Sequence, residues 1–334
     1  MSDEDLRGIR TAYLAAQKAA DVGTSAGFAR RDRALEAHRD GEYVLWFEAD
    51  LYDQLQLTQI LAKLRELEVP PSRITLICIG EYPGIAHFGG LGELDSEQLS
   101  RLPATAAATL TAPALELATR AWSALRAPDP GGLGEIATTP SPELRFVDEA
   151  FDRLSREYPS TRDGLSLTER RILAAVADGA QTAGAAFERL GSREARPFLG
   201  DTWCFDRMTR LCKVSSPLLW AEPVAAPIDR HTRLRPTDAG RRVLEEHEDH
   251  VTLNGVDRWI GGVHLRPCGS LALERGHRIN RRLVKLKRAP RSRRRSREPG
   301  WRQGAGVPSG RTTSQSPPNS LTLWQSTRPG ESRT

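Results

Sequence analysis

Apolar residues recur along this chain with two different periods, and the switches between them outline its elements. Leu6, Ile9, Tyr13 and Leu14 return at roughly helical spacing, which predicts helices across residues 5–39. "GEYVLWFEAD" then sets β-branched and aromatic residues behind a glycine and predicts a short buried strand of the parallel-sheet kind. Leu57, Ile60, Leu61 and Leu64 form one apolar helical face, which "VPPS" ends. "RITLICIG" predicts a second buried strand. Strand, helix and strand in this order predict a right-handed βαβ unit of an α/β fold, with Glu48 and Asp50 at the carboxyl edge of a parallel sheet.

The glycine-rich stretch "EYPGIAHFGGLGELDSEQL" follows the second strand, where phosphate-binding loops occur. It lacks the GK[ST] of a P-loop, and Glu81, Glu93 and Asp95 would repel a phosphate, so it reads as a turn. Asp95 with Gln98 has capping-box spacing for a short helix. Residues 112–126 and 142–157 predict two amphipathic helices, with "APDPGGLG" between them.

From residue 164 the pattern changes. "GLSLTERRILAAVADG" opens with Ser166 and Glu169 in capping-box spacing and closes on Gly179. Two more helices, "AGAAFERLG" and one near "FLGDTWCFDRMTRLC", come at short spacing. The apolar run "SPLLWAEP", a turn and "RLRPTDAGRRVLEEHE" complete the series. Three helices, a hairpin and a closing helix are the order of a winged helix-turn-helix domain. The expected organisation is therefore a small parallel α/β domain over 1–130, a helical linker over 131–163, a winged-helix-like domain over 164–266 and a basic tail over 267–334.

Composition changes this picture in one respect. The chain of 334 residues has a formal net charge of +5, yet residues 268–334 alone hold sixteen Lys/Arg and three Asp/Glu, a net +13. Residues 1–267 are left with −8, so an acidic body carries a basic tail. That tail is rich in Arg, Pro, Ser and Gly, without periodicity, and is expected to be disordered. No apolar run is long enough to span a bilayer and no secretory pattern opens the chain, so no membrane partner is expected. Cys78, Cys204, Cys212 and Cys268 lie far apart without a CxxC, which argues against a zinc site and fits a reducing cytoplasm.

"VLWFEADLYDQLQL", "LICIGEYPGIAHFGGLGELDSEQL", "AWSALRAPDP", "DGLSLTER", "RPFLGD", "LRPTDAGRRVL" and "DRWIGGVHL" occur in this order over about residues 4–266. Together they resemble the bacterial domain-of-unknown-function 1835 family. The resemblance implies an organisation rather than a chemistry. It also implies that a further strand and helix belong ahead of "DEDLRGIRTAYLAA", so the first strand of the sheet is expected to be missing. The family motif has the sense Trp-Phe-Glu-His-Asp, and this chain has Ala49 where the histidine is expected. The Arg-rich tail lies outside the family pattern.

The candidate chemistry centres on Glu48, Asp50 and Asp53. Carboxylates at a strand's carboxyl end could hold Mg²⁺ or Mn²⁺ through oxygen ligands, or share a proton. They could equally cap the helix that follows, with Asp50 as N-cap and Asp53 in its first turn. His87, in the glycine-rich turn, has no partner at a recognisable spacing and reads as structural. Cys78 reads as inert core, and no GxSxG nucleophile motif is present. In the winged domain the third helix would read DNA. It offers Arg207, Arg210 and Lys213 with Trp203 and Phe205, interrupted by Asp201 and Asp206, while Arg241 and Arg242 could touch the backbone from the closing helix. Trp46 and Trp259 are expected in the core rather than as stacking platforms. The functional expectation is a bacterial cytoplasmic regulatory or binding protein whose winged helix contacts nucleic acid or a protein partner. The rival is a metal-dependent enzyme acting on a phosphorylated or nucleotide substrate through Glu48, Asp50 and Asp53.

Overall fold

A computed structural model describes residues 3–16, 24–38, 40–224 and 227–266. Two helices open it, α1 (Asp3–Ala16) and α2 (Thr24–Ala37). The expected βαβ unit follows as β1 (Tyr43–Glu48), α3 (Leu51–Glu66) and β2 (Ile74–Ile79). β1 and β2 pair in parallel, from Tyr43 opposite Ile74 to Glu48 opposite Ile79. Ile74, Leu76, Ile77 and Ile79 of β2 are all buried, so this strand is covered on both faces, as a parallel strand requires.

Beyond the glycine-rich turn come α4 (Ser96–Thr105), β3 (Ala107–Thr109) and α5 (Ala112–Arg126). Asp95 and Gln98 close the expected capping box on α4. β3, which the hydrophobic pattern did not predict, pairs antiparallel with β2, so the sheet order is β1-β2-β3 and β1 is an edge. Three alanine and threonine residues carry no strand signature of their own; their place beside β2 makes them one. One face of the sheet, with Tyr43, Leu45, Phe47, Ile74 and Leu76, packs on Leu57, Leu61 and Leu64 of α3 and on Leu115 and Ala118 of α5. Ile77 and Ile79 on the other face meet Phe88, Leu94 and Leu102.

That second cover does not reach β1. Val44 is 55% and Trp46 is 37% exposed, because alternation along the edge strand turns both away from the helical layer. Trp46 is therefore not a core residue, contrary to the expectation from sequence.

The segment read as a separator contains a helix, α6 (Gly131–Ile136), despite three glycines in six residues. Its buried Leu133 and Ile136 dock in the first core, and burial of such side chains outweighs roughly 1 kcal/mol of helix penalty per glycine. The next helix, α7 (Val147–Ser155), is shorter than the pattern over 142–157.

The remaining elements are α8 (Leu167–Ala177), α9 (Ala183–Gly191), α10 (Asp201–Lys213), β4 (Leu219–Glu222), β5 (Arg233–Pro236) and α11 (Asp238–Leu244). β4 and β5 form an antiparallel hairpin, so three helices, a hairpin and a closing helix do occur in the expected order. They share a second core that includes Ile172, Leu173, Leu190, Met208, Leu211, Leu234 and Val243. Ser166 and Glu169 make a capping box at α8. A side chain at Gly240 would collide with the Leu218 carbonyl, which explains the glycine in "TDAGRR".

Last come α12 (His250–Asn254), β6 (Arg258–Ile260) and β7 (Val263–Leu265). Ile260 returns to the first core, and Arg258 donates to buried Glu169 at 2.8 Å and to the Glu157 carbonyl at 2.9 Å. Trp259 is 64% exposed and stacks on His264 at 4.3 Å, so it too is a surface ring rather than core. Arg153 links α7 to α8 and to the loop after α9, donating to Glu157 at 2.8 Å, Thr168 at 2.8 Å and Glu194 at 2.9 Å. Burial alone would raise the Glu194 carboxyl, but Arg153 and Arg171 hold it below the usual range. Among the described residues no helix is long and apolar enough to cross a membrane. The expectation of a disordered tail concerns residues outside those described.

Candidate functional site

Only Ala49 and Asp50 join β1 to α3, so the acids flanking this junction are crowded. Asp50 is the N-cap of α3, its Oδ1 accepting the Asp53 N–H at 3.0 Å. Asp53 points back along the junction, and its Oδ2 accepts the Glu48 N–H at 2.7 Å. Glu48 Oε1 reaches the glycine-rich turn and accepts the Leu91 N–H at 2.7 Å. Gln54 Nε2 steadies the arrangement from below by donating to the Glu48 carbonyl at 2.6 Å. One carboxylate oxygen from each of Glu48, Asp50 and Asp53 lies within 4.8 Å of the others.

Two glycines make room for this. Gly90 has φ +141°, and a Cβ there would strike the Glu48 carboxylate. A Cβ at Gly80 would stand 2.8 Å from Ala49 Cβ and 2.8 Å from the Arg196 guanidinium. Position 49, where the resemblance expects histidine, is thus a buried methyl group packed against Gly80. His87 is exposed on the turn, and no histidine belongs to the acid cluster among the described residues.

Burial raises the Asp53 carboxyl to about 7; the Asp50 and Glu48 charges add to this and the Glu48 N–H opposes it. Asp50 is raised as well, by burial, against the backbone N–H groups of Asp53 and Tyr52. A carboxyl poised near neutrality among two others can exchange a proton, and the oxygen set suits a hard divalent cation such as Mg²⁺ or Mn²⁺. Cys78 lies beside the cluster, and burial pushes its thiol up to about 12, so it is no nucleophile at neutral pH.

The third helix of the second core was the expected DNA reader. On α10, Cys204, Met208 and Leu211 face inward. Arg210 pairs with Asp206 at 2.9 Å. Arg207 is half-buried beside Glu169 and His250. Trp203 stacks on Tyr13 of α1 at 6.1 Å and Phe205 sits edge-on to Phe187 at 6.3 Å. Lys213, exposed at the end of this helix, makes no ion pair among the described residues.

The adjoining hairpin is different, and reading the sequence for a recognition helix missed it. Trp220 stands directly opposite Arg235 and Glu222 opposite Arg233, on the face turned away from Leu219 and Leu234. Trp220 is 40% exposed, and Arg235 lies over its ring at 5.7 Å. Neither Arg233 nor Arg235 makes an ion pair among the described residues. Arg241 and Arg242 are exposed in the last turn of α11, with Arg242 paired to Glu248 at 2.9 Å. The signal was in the sequence: residues 227–244 hold five arginines against two aspartates.

No family model, no curated protein and no solved structure matches this chain.

Proposed function

We propose that this is a cytoplasmic regulatory or binding protein whose winged-helix-like domain contacts nucleic acid through the β4–β5 hairpin and Arg241 of α11. The observation that carries this reading is the solvent-facing Trp220 with Arg233, Arg235 and Arg241, three cations that make no ion pair among the described residues, although Glu222 stands opposite Arg233. A two-stranded ribbon fits a nucleic-acid groove, arginines meet phosphates, and an exposed indole can stack on a base. Residues 164–266 hold fifteen Lys/Arg and fourteen Asp/Glu, so attraction to a polyanion is local to this edge. Among the described residues Cys78, Cys204 and Cys212 are buried or half-buried free thiols, which together with the resemblance to the bacterial domain-of-unknown-function 1835 family supports the cytoplasmic, bacterial setting.

The test uses residues 1–266, which lack the sixteen Lys/Arg that would bind any polyanion. Retained binding to duplex DNA at low salt, lost in Arg233→Gln with Arg235→Gln, is the expected result. Absence of binding would make the hairpin a protein-docking surface instead.

One observation favours a second reading: three carboxylates converge within 4.8 Å, with Asp53 near 7. On this reading Glu48, Asp50 and Asp53 hold Mg²⁺ or Mn²⁺ and act on a phosphorylated or nucleotide substrate. Calorimetric titration with Mn²⁺ should then show binding that Asp50→Asn abolishes, since asparagine keeps the helix cap and removes the charge. No heat at millimolar Mn²⁺ would remove this reading.

A further inference from the structure

A pocket of about 180 Å³ lies where α10 and α12 meet the start of α8 and of β6. Its titratable lining is Glu169, Arg207, Arg210, His250, Asp257 and Arg258. Most of these groups are matched within the protein. Arg210 pairs with Asp206 at 2.9 Å, and Asp257, on the exposed rim, meets His264 at 2.7 Å. Glu169 Oε1 accepts from Arg258 at 2.8 Å, and its Oε2 accepts the Ser166 N–H at 2.8 Å. Burial alone would raise this carboxyl, but Arg258, the Ser166 N–H and Arg207 hold it below the usual range.

Two donors are left over. The half-buried Arg207 side chain makes no hydrogen bond and no ion pair among the described residues. The second donor belongs to His250, which is only 8% exposed. Asn254 fixes the tautomer of its ring. The Asn254 Oδ1 accepts the Ser216 N–H at 2.7 Å and its Nδ2 donates to the Ser216 carbonyl at 3.1 Å, which sets the orientation of the amide. The same Nδ2 lies 3.1 Å from His250 Nδ1, so Nδ1 accepts and Nε2 carries the proton. Burial lowers the imidazole below its ordinary value, with Glu169 opposing, so the ring is neutral at pH 7. Its Nε2–H has no acceptor among the described residues. A donor this deeply buried costs free energy for as long as it lacks a partner.

We infer that this pocket binds a small monocarboxylate with an apolar body, its carboxylate held by the Arg207 guanidinium and the His250 Nε2–H. What the two donors lack is an acceptor, and a carboxylate supplies two oxygens with one charge, the charge that Arg207 leaves unpaired. Leu211, Val214, Val251 and Val256 give the rest of the lining an apolar character that suits the body of such a ligand. The volume is that of about six water molecules at ~30 Å³ each, which limits the ligand to fewer than about ten non-hydrogen atoms.

Calorimetric titration of the full chain with benzoate tests this. A ligand of that size should bind with Kd on the order of 0.1–1 mM. Benzamide has the shape of benzoate without its charge and should bind about tenfold more weakly or worse. Arg207→Gln should lower the affinity for benzoate about tenfold or more, and Arg207→Lys, which keeps the charge but not the fork, by less. Lys213→Gln, the same charge change on α10 outside the pocket, should leave the affinity intact. The Lys/Arg after residue 267 attract any anion, but they are the same in every variant. The comparison of benzoate with benzamide uses the wild type alone, so it holds even where Arg207→Gln fails to fold. No binding of benzoate at about 10 mM would overturn the inference. So would equal affinity in the wild type and Arg207→Gln, or for benzoate and benzamide. Inorganic phosphate binding more tightly than benzoate, with the same loss in Arg207→Gln, would overturn the choice of a carboxylate.

Discussion

The acid cluster at the β1–α3 junction and the arginines of the β4–β5 hairpin differ in what the fold asks of them. Each acid receives a backbone N–H: Asp50 from Asp53, Asp53 from Glu48, and Glu48 from Leu91. Their convergence follows from capping a helix two residues after a strand, whatever else they do. Among the described residues the side chains of Arg233 and Arg235 make no ion pair, and Arg235 covers the Trp220 ring. A charged side chain with no internal task is the better candidate for an external one, and that difference governs the proposed function. It also separates two kinds of measurement, since the acids should show in stability and the hairpin in binding.

The largest effect is expected where the acid cluster meets its turn. Gly90→Ala forces a side chain into φ +141° and against the Glu48 carboxylate, so chemical denaturation should show a loss of about 3 kcal/mol or more.

Asp53→Asn comes next, and its sign depends on pH. The Asp53 carboxyl is raised from 3.8 to about 7 in the folded protein. The stability linked to its protonation is full below about pH 4 and is lost as pH rises through about 7. Asparagine keeps an acceptor for the Glu48 N–H and does not ionise. It should therefore be more stable than wild type at pH 8 by about 1–3 kcal/mol, with the advantage shrinking as pH falls towards 4. Denaturation midpoints at several pH values check this, and a pH-independent difference would break the electrostatic account of the cluster.

On the hairpin, Arg233→Gln with Arg235→Gln should change stability by less than about 0.5 kcal/mol and lower nucleic-acid affinity about tenfold or more. Smallest of all is Arg210→Gln on α10, where Asp206 already neutralises the charge; its affinity should move by less than about twofold. A larger loss from Arg210 than from the hairpin would reverse the comparison.

Much of this was legible in the sequence because local chemistry and tertiary packing agree there. The helix caps at Asp50, Asp95 and Ser166 were readable from residue type and spacing, and the structure forms all three. The parallel pairing of β1 and β2 followed from a strand, an apolar helix and a strand. What the sequence hid depends on neighbours distant along the chain. β3 exists because β2 offers an edge, and α6 because Leu133 and Ile136 find a core. Trp46 and Trp259 read as core by type, but alternation on an edge strand and on a small surface hairpin sends them outward. For the site, spacing identified the acids on β1 and α3, whereas a template of recognition by a third helix drew attention to α10. The pairing of Arg210 with Asp206 was visible at i, i+4, yet the solvent-facing set on the hairpin needed the register that puts Trp220 opposite Arg235.

The salt dependence of duplex DNA binding by residues 1–266 tests the central claim most directly. Binding at low salt should weaken with added salt, and replacing Arg233 and Arg235 by glutamine should flatten the slope by about two units, one for each lost phosphate contact. A slope unchanged by the double substitution, or no binding at low salt, would contradict the assignment of nucleic-acid contact to the hairpin.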